Sequence, residues 1–236
     1  MVEGGNEMNR FLQKTKKYFL ALPIIVLVLG VFLILTLSDK NQRLTESQIL
    51  ELRDKYPVCG INAPPLMEMA PDGAYQFERA LERSEAFVYG EIIGDYKLYS
   101  KKVTTGYEEL DQKREENGIN SSYKYYEFTL SVINDTSGTY TEGDIITITD
   151  NTAFMDYNPT FVDGMKVVVP IYGRNDEKYP NRKAITAVGI YYVTEDGYAI
   201  SAFNEETRSN YELSGMKVEE AMEKLASLKA KKAKNK

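Results

Sequence analysis

Between Tyr18 and Leu37 the chain runs for 20 residues without a charged side chain, YFLALPIIVLVLGVFLILTL. As a helix this run reaches about 30 Å, the thickness of a bilayer's hydrocarbon core. A cleavable secretory signal carries a shorter apolar region, of about 7–15 residues, ending in small residues. Thr36-Leu37-Ser38 is a poor cleavage match, and a lipid-attachment Cys would have to follow the run directly, whereas the single cysteine is Cys59. No polar face interrupts the run, so it does not suit a half-buried helix of a soluble core. The stretch predicts a retained, single-pass transmembrane helix over residues 18–37. Pro23 sits in its first turns, where a missing amide costs least.

The flanks orient that helix. Arg10, Lys14, Lys16 and Lys17 precede it, while Lys40 and Arg43 follow with Asp39 and Glu46 among them. The more basic side stays cytoplasmic. Residues 1–17 are then a cytoplasmic N-terminus and everything after residue 37 is extracytoplasmic, which places the protein in the cell membrane with the lipid bilayer as its first partner.

The whole chain has 29 basic and 35 acidic residues. Taking away the four basic and two acidic residues before position 38 leaves 25 and 33, a balance of −8 on the exported part. That charge excludes nucleic acid as a natural partner. Five lysines fall in the last eight residues, KAKKAKNK, so residues 229–236 read as a separate Lys-rich tail, solvated or touching anionic lipid or cell-wall polymer. One cysteine cannot form an internal disulfide, so the outward part must be held by an apolar core. Cys59 itself reads as a part-buried small apolar residue.

Residues 38–71 read as an extracytoplasmic tether. Thr45-Glu46-Ser47-Gln48 is a capping-box pattern that starts a short helix to about Tyr56, and Pro57, Pro64, Pro65 and Pro71 then break regular structure. The folded unit is expected over 72–228, opening with a helix capped by Asp72 whose apolar face holds Ala74, Phe77, Ala80 and Leu81. The period then changes to two. Ala86–Tyr99 reads as a strand with bends at Gly90 and Gly94, and Tyr126, Phe128, Leu130 and Val132 alternate with polar residues as a half-buried strand. Further strands are expected at Ile145–Thr149, Lys166–Tyr172, Ala184–Val193 and Tyr198–Phe203, with Glu195-Asp196-Gly197 as the turn between the last two. Lys101–Ser122 is the long insertion, with a charged helical hump ending at Asn117-Gly118. A closing helix carries Val218, Ala221, Met222, Leu225 and Leu228 on one side. The class is mainly β with flanking helices, α+β, and short strands at close spacing argue for a small barrel or sandwich.

Chemistry is constrained by absences. The chain contains no histidine and one cysteine, which removes His-based nucleophilic pairs, His metal sites and thiolate clusters. No phosphate-binding glycine pattern occurs. Asp144, Asp150, Asp156 and Asp163 recur in strand connections, but their spacing is not that of a calcium loop and Asp suits turns anyway. No catalytic residue, metal or cofactor is assigned. Tyrosine is the more informative excess, 18 with no tryptophan. If Tyr126 faces inward with Phe128, alternation turns Tyr125 outward, where its ring can stack on a sugar or anchor a protein.

The stretches Leu81–Ile93, Tyr126–Val132, Glu142–Ile148, Phe161–Pro170 and Gly189–Asp196 together resemble uncharacterised, membrane-anchored or secreted surface proteins of Gram-positive bacteria. The resemblance covers about the last two thirds of the chain and implies a small OB-like antiparallel β-barrel with no assigned catalysis. On such a barrel, ligands sit between the loops joining strands 1–2 and 4–5. The second loop, GRNDEKYPNRK, is locally basic, so Arg174, Lys178, Arg182 and Lys183 with Tyr179, together with Tyr125, form the expected ligand-binding set. The first functional reading is a membrane-anchored binding or scaffolding module at the cell surface, taking cell-wall polymer. The alternatives are an accessory subunit of a membrane transport or secretion complex, with another membrane protein as partner, and a surface enzyme using carboxylates.

Overall fold

A computed structural model describes residues 43–60, 76–102, 104–119, 122–173, 182–204 and 208–234. They form a mixed α+β unit with a seven-stranded sheet and a C-terminal helix. Among the described residues no helix is long and apolar enough to cross a membrane. The 18–37 run lies outside them, as do Asp72 and Ala74.

Strand β1 (Ala86–Lys102) is the spine of the sheet. It pairs antiparallel with β2 (Ser122–Asp135) along most of its length, and its first half also pairs with β4 (Lys166–Gly173). One strand can serve two neighbours because it bends: the β1–β2 register shifts at Tyr89/Gly90 and again between Ile93 and Lys97. Strand β3 (Ile145–Asn151) continues from β2, and the short β5 (Arg182–Ala184) joins β3 to β4. The pairings β1-β2-β3-β5-β4 therefore return to β1. Closure is uneven, since β5 shares only two register positions with each neighbour. The β3–β5 pair is parallel, which corrects the expectation of an antiparallel arrangement throughout. Strands β6 (Tyr191–Val193) and β7 (Ala199–Ser201) extend the sheet beyond β4.

Alternation sends side chains into two cores. Val88, Ile92, Phe128, Leu130, Ile148, Val167 and Val169 fill the space enclosed by β1–β5. Phe87 and Val168, one residue out of phase, face the other way and pack under two helices, α2 (Phe77–Arg83) and α4 (Val218–Lys234), with Phe77, Leu81, Met222 and Leu225. Strand β4 is buried on both faces, which is why VVVPI reads as a continuous apolar run. Each fully buried Leu, Val or Phe here contributes about 1.5–3 kcal/mol over exposure.

The segment expected to be a free tether is partly a structural element. Thr45 caps α1 (Glu46–Glu51) with the reciprocal Thr45–Gln48 capping box, as the sequence pattern requires. A 3-10 turn follows at Leu52–Asp54. Leu44, Ile49 and Leu52 then pack against the first of these cores and Tyr56 is buried beside Tyr192. Backbone bonds fasten this segment at both ends, Leu44 N to Gly215 O (2.8 Å) and Cys59 N to Ala202 O (2.8 Å). The folded unit therefore begins at Arg43 rather than near Asp72. Residues 59 and 215–217 bond to the backbone at and beside β7, the last strand of the sheet, and so cover an edge that would otherwise be open.

Three further differences have local causes. Helix α2 starts at Phe77 after Gln76, which makes no side-chain cap. The expected strand Ala184–Val193 divides into β5 and β6, because Gly189 adopts φ +70° and its N–H bonds to Arg208 O. Helix α4 runs on through Lys234, so most of the Lys-rich tail is helical. Lys229 Nζ bonds to the carbonyls of Leu81 and Ser84, Lys232 lies 3.6 Å from Glu82, and the last-turn lysines suit the negative end of the helix. The hump is present as helix α3 (Glu108–Glu116), ending at Asn117 with Gly118 at φ +67°. The β6–β7 turn falls at Glu195-Asp196-Gly197, with Gly197 at φ +77°.

Candidate functional site

The residues expected to bind ligand divide among three places. Arg174, Lys178 and Tyr179 lie outside the described residues. Lys183, in β5, turns to Glu85, with Nζ 2.7 Å from Oε2. Burial pushes the Lys183 ammonium down, but hydrogen bonds to Glu85 and Tyr140 outweigh it and hold the lysine above its usual range. Arg182 and Tyr125 do come together, through a residue that the sequence reading passed over, Tyr99.

Strand pairing places Tyr99 directly opposite Tyr125. Tyr126, Phe128 and Leu130 belong to the interior, so Tyr125 and Glu127 project from the outer face. The Tyr99 and Tyr125 rings stack with centroids 5.5 Å apart and planes 21° from parallel. The Arg182 guanidinium lies 5.0 Å from the Tyr99 centroid and its Nη2 donates to Glu127 Oε2 at 2.8 Å. Arg182 and Glu127 are each about one-fifth exposed, so the pair is screened less than a free surface pair. Thr149 lies beneath, opposite Glu127 on β3, and its Oγ1 accepts from the Tyr99 hydroxyl at 3.4 Å. The result is an aromatic stack with one cation and one carboxylate fixed beside it. It stands at the roots of both expected ligand loops, since β1 ends at Lys102 and β5 begins at Arg182.

Tyr99 was legible in principle, because it sits in an alternating stretch opposite a second Tyr-rich strand. Its partner could not be chosen without the two register shifts in β1. Glu127 follows from Tyr125 by the period of two, but nothing local says that it holds Arg182.

Below this face, polar bonds join β2, β3 and the residues that follow β3. Asn158 Nδ2 donates to the Tyr126 hydroxyl (2.9 Å) and to Asp150 Oδ2 (3.0 Å). Burial, then the charge of Asp150, pushes the Tyr126 phenol well above its usual range, so it stays protonated at any ordinary pH. Tyr96, Tyr126 and Phe161 line a small cavity of about 120 Å³ there. Three of the four aspartates weighed for calcium accept hydrogen bonds from backbone N–H groups: Asp144 Oδ2 from Thr141 N, Asp150 Oδ1 from Asn151 N, and Asp163 Oδ1 from the distant Gly94 N. Among the described residues no group of three or more acidic or cysteine side chains is placed to hold a metal ion.

Cys59 is half-buried, with Sγ 3.2 Å from the Tyr192 hydroxyl. Burial pushes its thiol up, against the opposing pull of Tyr192 and the Arg208 and Arg53 guanidiniums. A raised pKa leaves less thiolate at pH 8. Alkylation by iodoacetamide at pH 8 is therefore expected to run at least about tenfold slower in the native chain than in urea; equal rates would contradict this placement.

No family model, curated protein or solved structure matches this chain.

Proposed function

We propose that this chain is a single-pass membrane protein that carries an OB-like barrel on the outer side of the cell membrane and uses the Tyr99–Tyr125–Arg182 face to bind cell-wall polymer. The observation that carries the reading is the stack itself. Flat phenol faces accept the C–H faces of sugar rings, while the fixed Arg182–Glu127 pair offers donors and acceptors for hydroxyls. The barrel reading is supported by strand pairings that return to β1 around an apolar interior. The anchor reading is supported by the 20-residue apolar run and its basic leading flank. Glu127 in the centre of the face and the acidic balance of the exported part both disfavour nucleic acid.

The test uses the full chain in neutral detergent with purified cell-wall glycan. Retention is expected, and Tyr99→Ala combined with Tyr125→Ala is expected to weaken it about tenfold, the loss of one to two aromatic contacts. No retention, or retention unchanged in a folded double variant, would sink the site. Protease shaving of intact cells tests the anchor separately. A protected fragment ending near Leu37 is expected, and full protection would reverse the orientation.

One observation favours a second reading, the accessory subunit of a membrane transport or secretion complex. Leu98, Tyr107, Leu110, Ile119 and Tyr123 are each at least half exposed on or beside the end of the β1–β2 hairpin. Crosslinking in cells would then trap a second membrane protein at these positions. Recovery of this chain alone would remove that reading.

A further inference from the structure

We infer that the cleft between α1 and residues 201–204 and 211–214 is a binding site for a single oxyanion group, phosphate or carboxylate, carried on a partly apolar body. The cleft measures about 690 Å³, within the range of small-molecule sites, and Arg43 and Arg53 both line it. Arg43 donates through Nε to Ser214 O (3.0 Å) and through Nη2 to Tyr211 O (2.8 Å). Arg53 donates through Nη1 to Tyr56 O (3.2 Å) and Ser201 O (2.8 Å). These carbonyls fix the two guanidiniums without neutralising them, and each fork keeps further N–H groups for a ligand.

Neither arginine has a carboxylate partner among the described residues. Arg53 is half-buried, and a cation withdrawn from water is ordinarily paired. Its desolvation lowers the guanidinium's pKa, and the ionisable groups that act on it are Tyr192, Tyr211 and Cys59, none of them a carboxylate. A bound oxyanion supplies the counter-charge that no described carboxylate gives, in the geometry that arginine forks prefer. Ile49 and Phe203 make the apolar part of the wall. Glu46 and Glu212 stand on the exposed rim and repel a second negative charge, so the ligand's anionic group is confined to one end.

The site has a mechanical consequence. Arg43 and Arg53 belong to the segment that leads from the apolar run, and Ser201, Phe203 and Ser214 belong to the body of the domain. A ligand touching both stabilises the docked segment by mass action. Occupancy would thus fasten the domain to the chain that leads to the membrane. The binding claim does not depend on that anchor.

Hydrogen exchange of the full chain in neutral detergent tests the inference, with sn-glycerol 1-phosphate as the soluble probe and glycerol as its neutral control. At a concentration ten times its Kd the phosphate is expected to slow exchange of the Leu44 amide, bonded to Gly215 O, about tenfold, and glycerol to leave it unchanged. Arg43→Ala with Arg53→Ala should abolish the effect. Glu46→Gln with Glu212→Gln should tighten binding, a gain that damaged folding cannot mimic. A second arm places the chain in nanodiscs with or without phosphatidylglycerol. Protection in that lipid alone identifies a lipid headgroup as the source, and protection by the soluble probe identifies a free ligand. No protection in either arm, equal protection by glycerol, or an unchanged affinity in the glutamine variant would overturn the site.

Discussion

Arg208→Ala is expected to destabilise the domain by about 3–4 kcal/mol, more than any substitution on its outer faces. Arg208 is 4% exposed, and its guanidinium donates to Ala187 O through Nε (3.0 Å) and Nη2 (2.9 Å) and to Tyr157 O through Nη2 (3.1 Å). It also lies 4.0 Å from the Phe203 ring centroid. One side chain therefore holds the residues after β3, the stretch between β5 and β6, and the segment after β7. Alanine would remove these three charged hydrogen bonds and leave a hole beneath Phe203. A charged hydrogen bond contributes about 1.5–3 kcal/mol and an unsatisfied buried group costs about 1–3. At about 2–4 °C per kcal/mol for a chain of this size, Tm should fall about 10 °C. Arg208→Lys, which lacks the fork, should recover only part of the loss. A melting temperature within about 2 °C of the parent would show that Arg208 is dispensable.

The second large effect is expected at Gly90, where β1 changes its register against β2. A methyl group there would overlap the carbonyl of Ser131 and come within 2.8 Å of Leu130 Cγ. The obstruction on one side is backbone of the paired strand, which cannot turn aside as a side-chain tip can. Gly90→Ala should therefore cost about 2–3 kcal/mol, in the range of overpacked cores, and loosen the β1–β4 pairing, because Gly90 also faces Val167 there. Denaturant unfolding checks the first part. Amide exchange at Val88 and Val169, also opposite one another, checks the second. Gly197→Ala is the comparison: Gly197 has a positive φ but open space around it, so its cost should stay near 1 kcal/mol.

The contrast between these glycines shows where the sequence was readable. Gly197 sits in a three-residue turn between two short apolar runs, and turn chemistry is local. The Thr45–Gln48 capping box, the β2 alternation from Tyr126 to Val132 and the apolar stripe of α4 are likewise determined within a few residues, and each appears where its pattern places it. Ala184–Val193 could not be divided by pattern, because its residues after the first two are almost all buried and carry no period. The packing of Arg43–Cys59 against the domain is not legible for the opposite reason. Few of its residues are deeply buried, and it is held by backbone bonds to residues more than a hundred positions away.

The candidate site divides in the same way. Tyr125 follows from alternation alone, and Arg182 from a basic stretch beside turn residues. That Arg182 reaches Tyr99 and Glu127, while the adjacent Lys183 reaches Glu85, depends on β5 entering parallel to β3 with its successive residues on opposite faces.

By itself the sequence determined the apolar run from Tyr18 to Leu37, the acidic balance, the absence of histidine chemistry and the type of the longer elements. These depend on composition and on periods of two or 3.6 residues, and such patterns are short-range. Only the tertiary structure decided that the pairings return to β1, that residues 59 and 215–217 cover the β7 edge, and that two arginines of the supposed tether face one cleft. Each of these joins groups far apart in the chain, so the closing of loops and the geometry of packing select them, and no local pattern carries that choice.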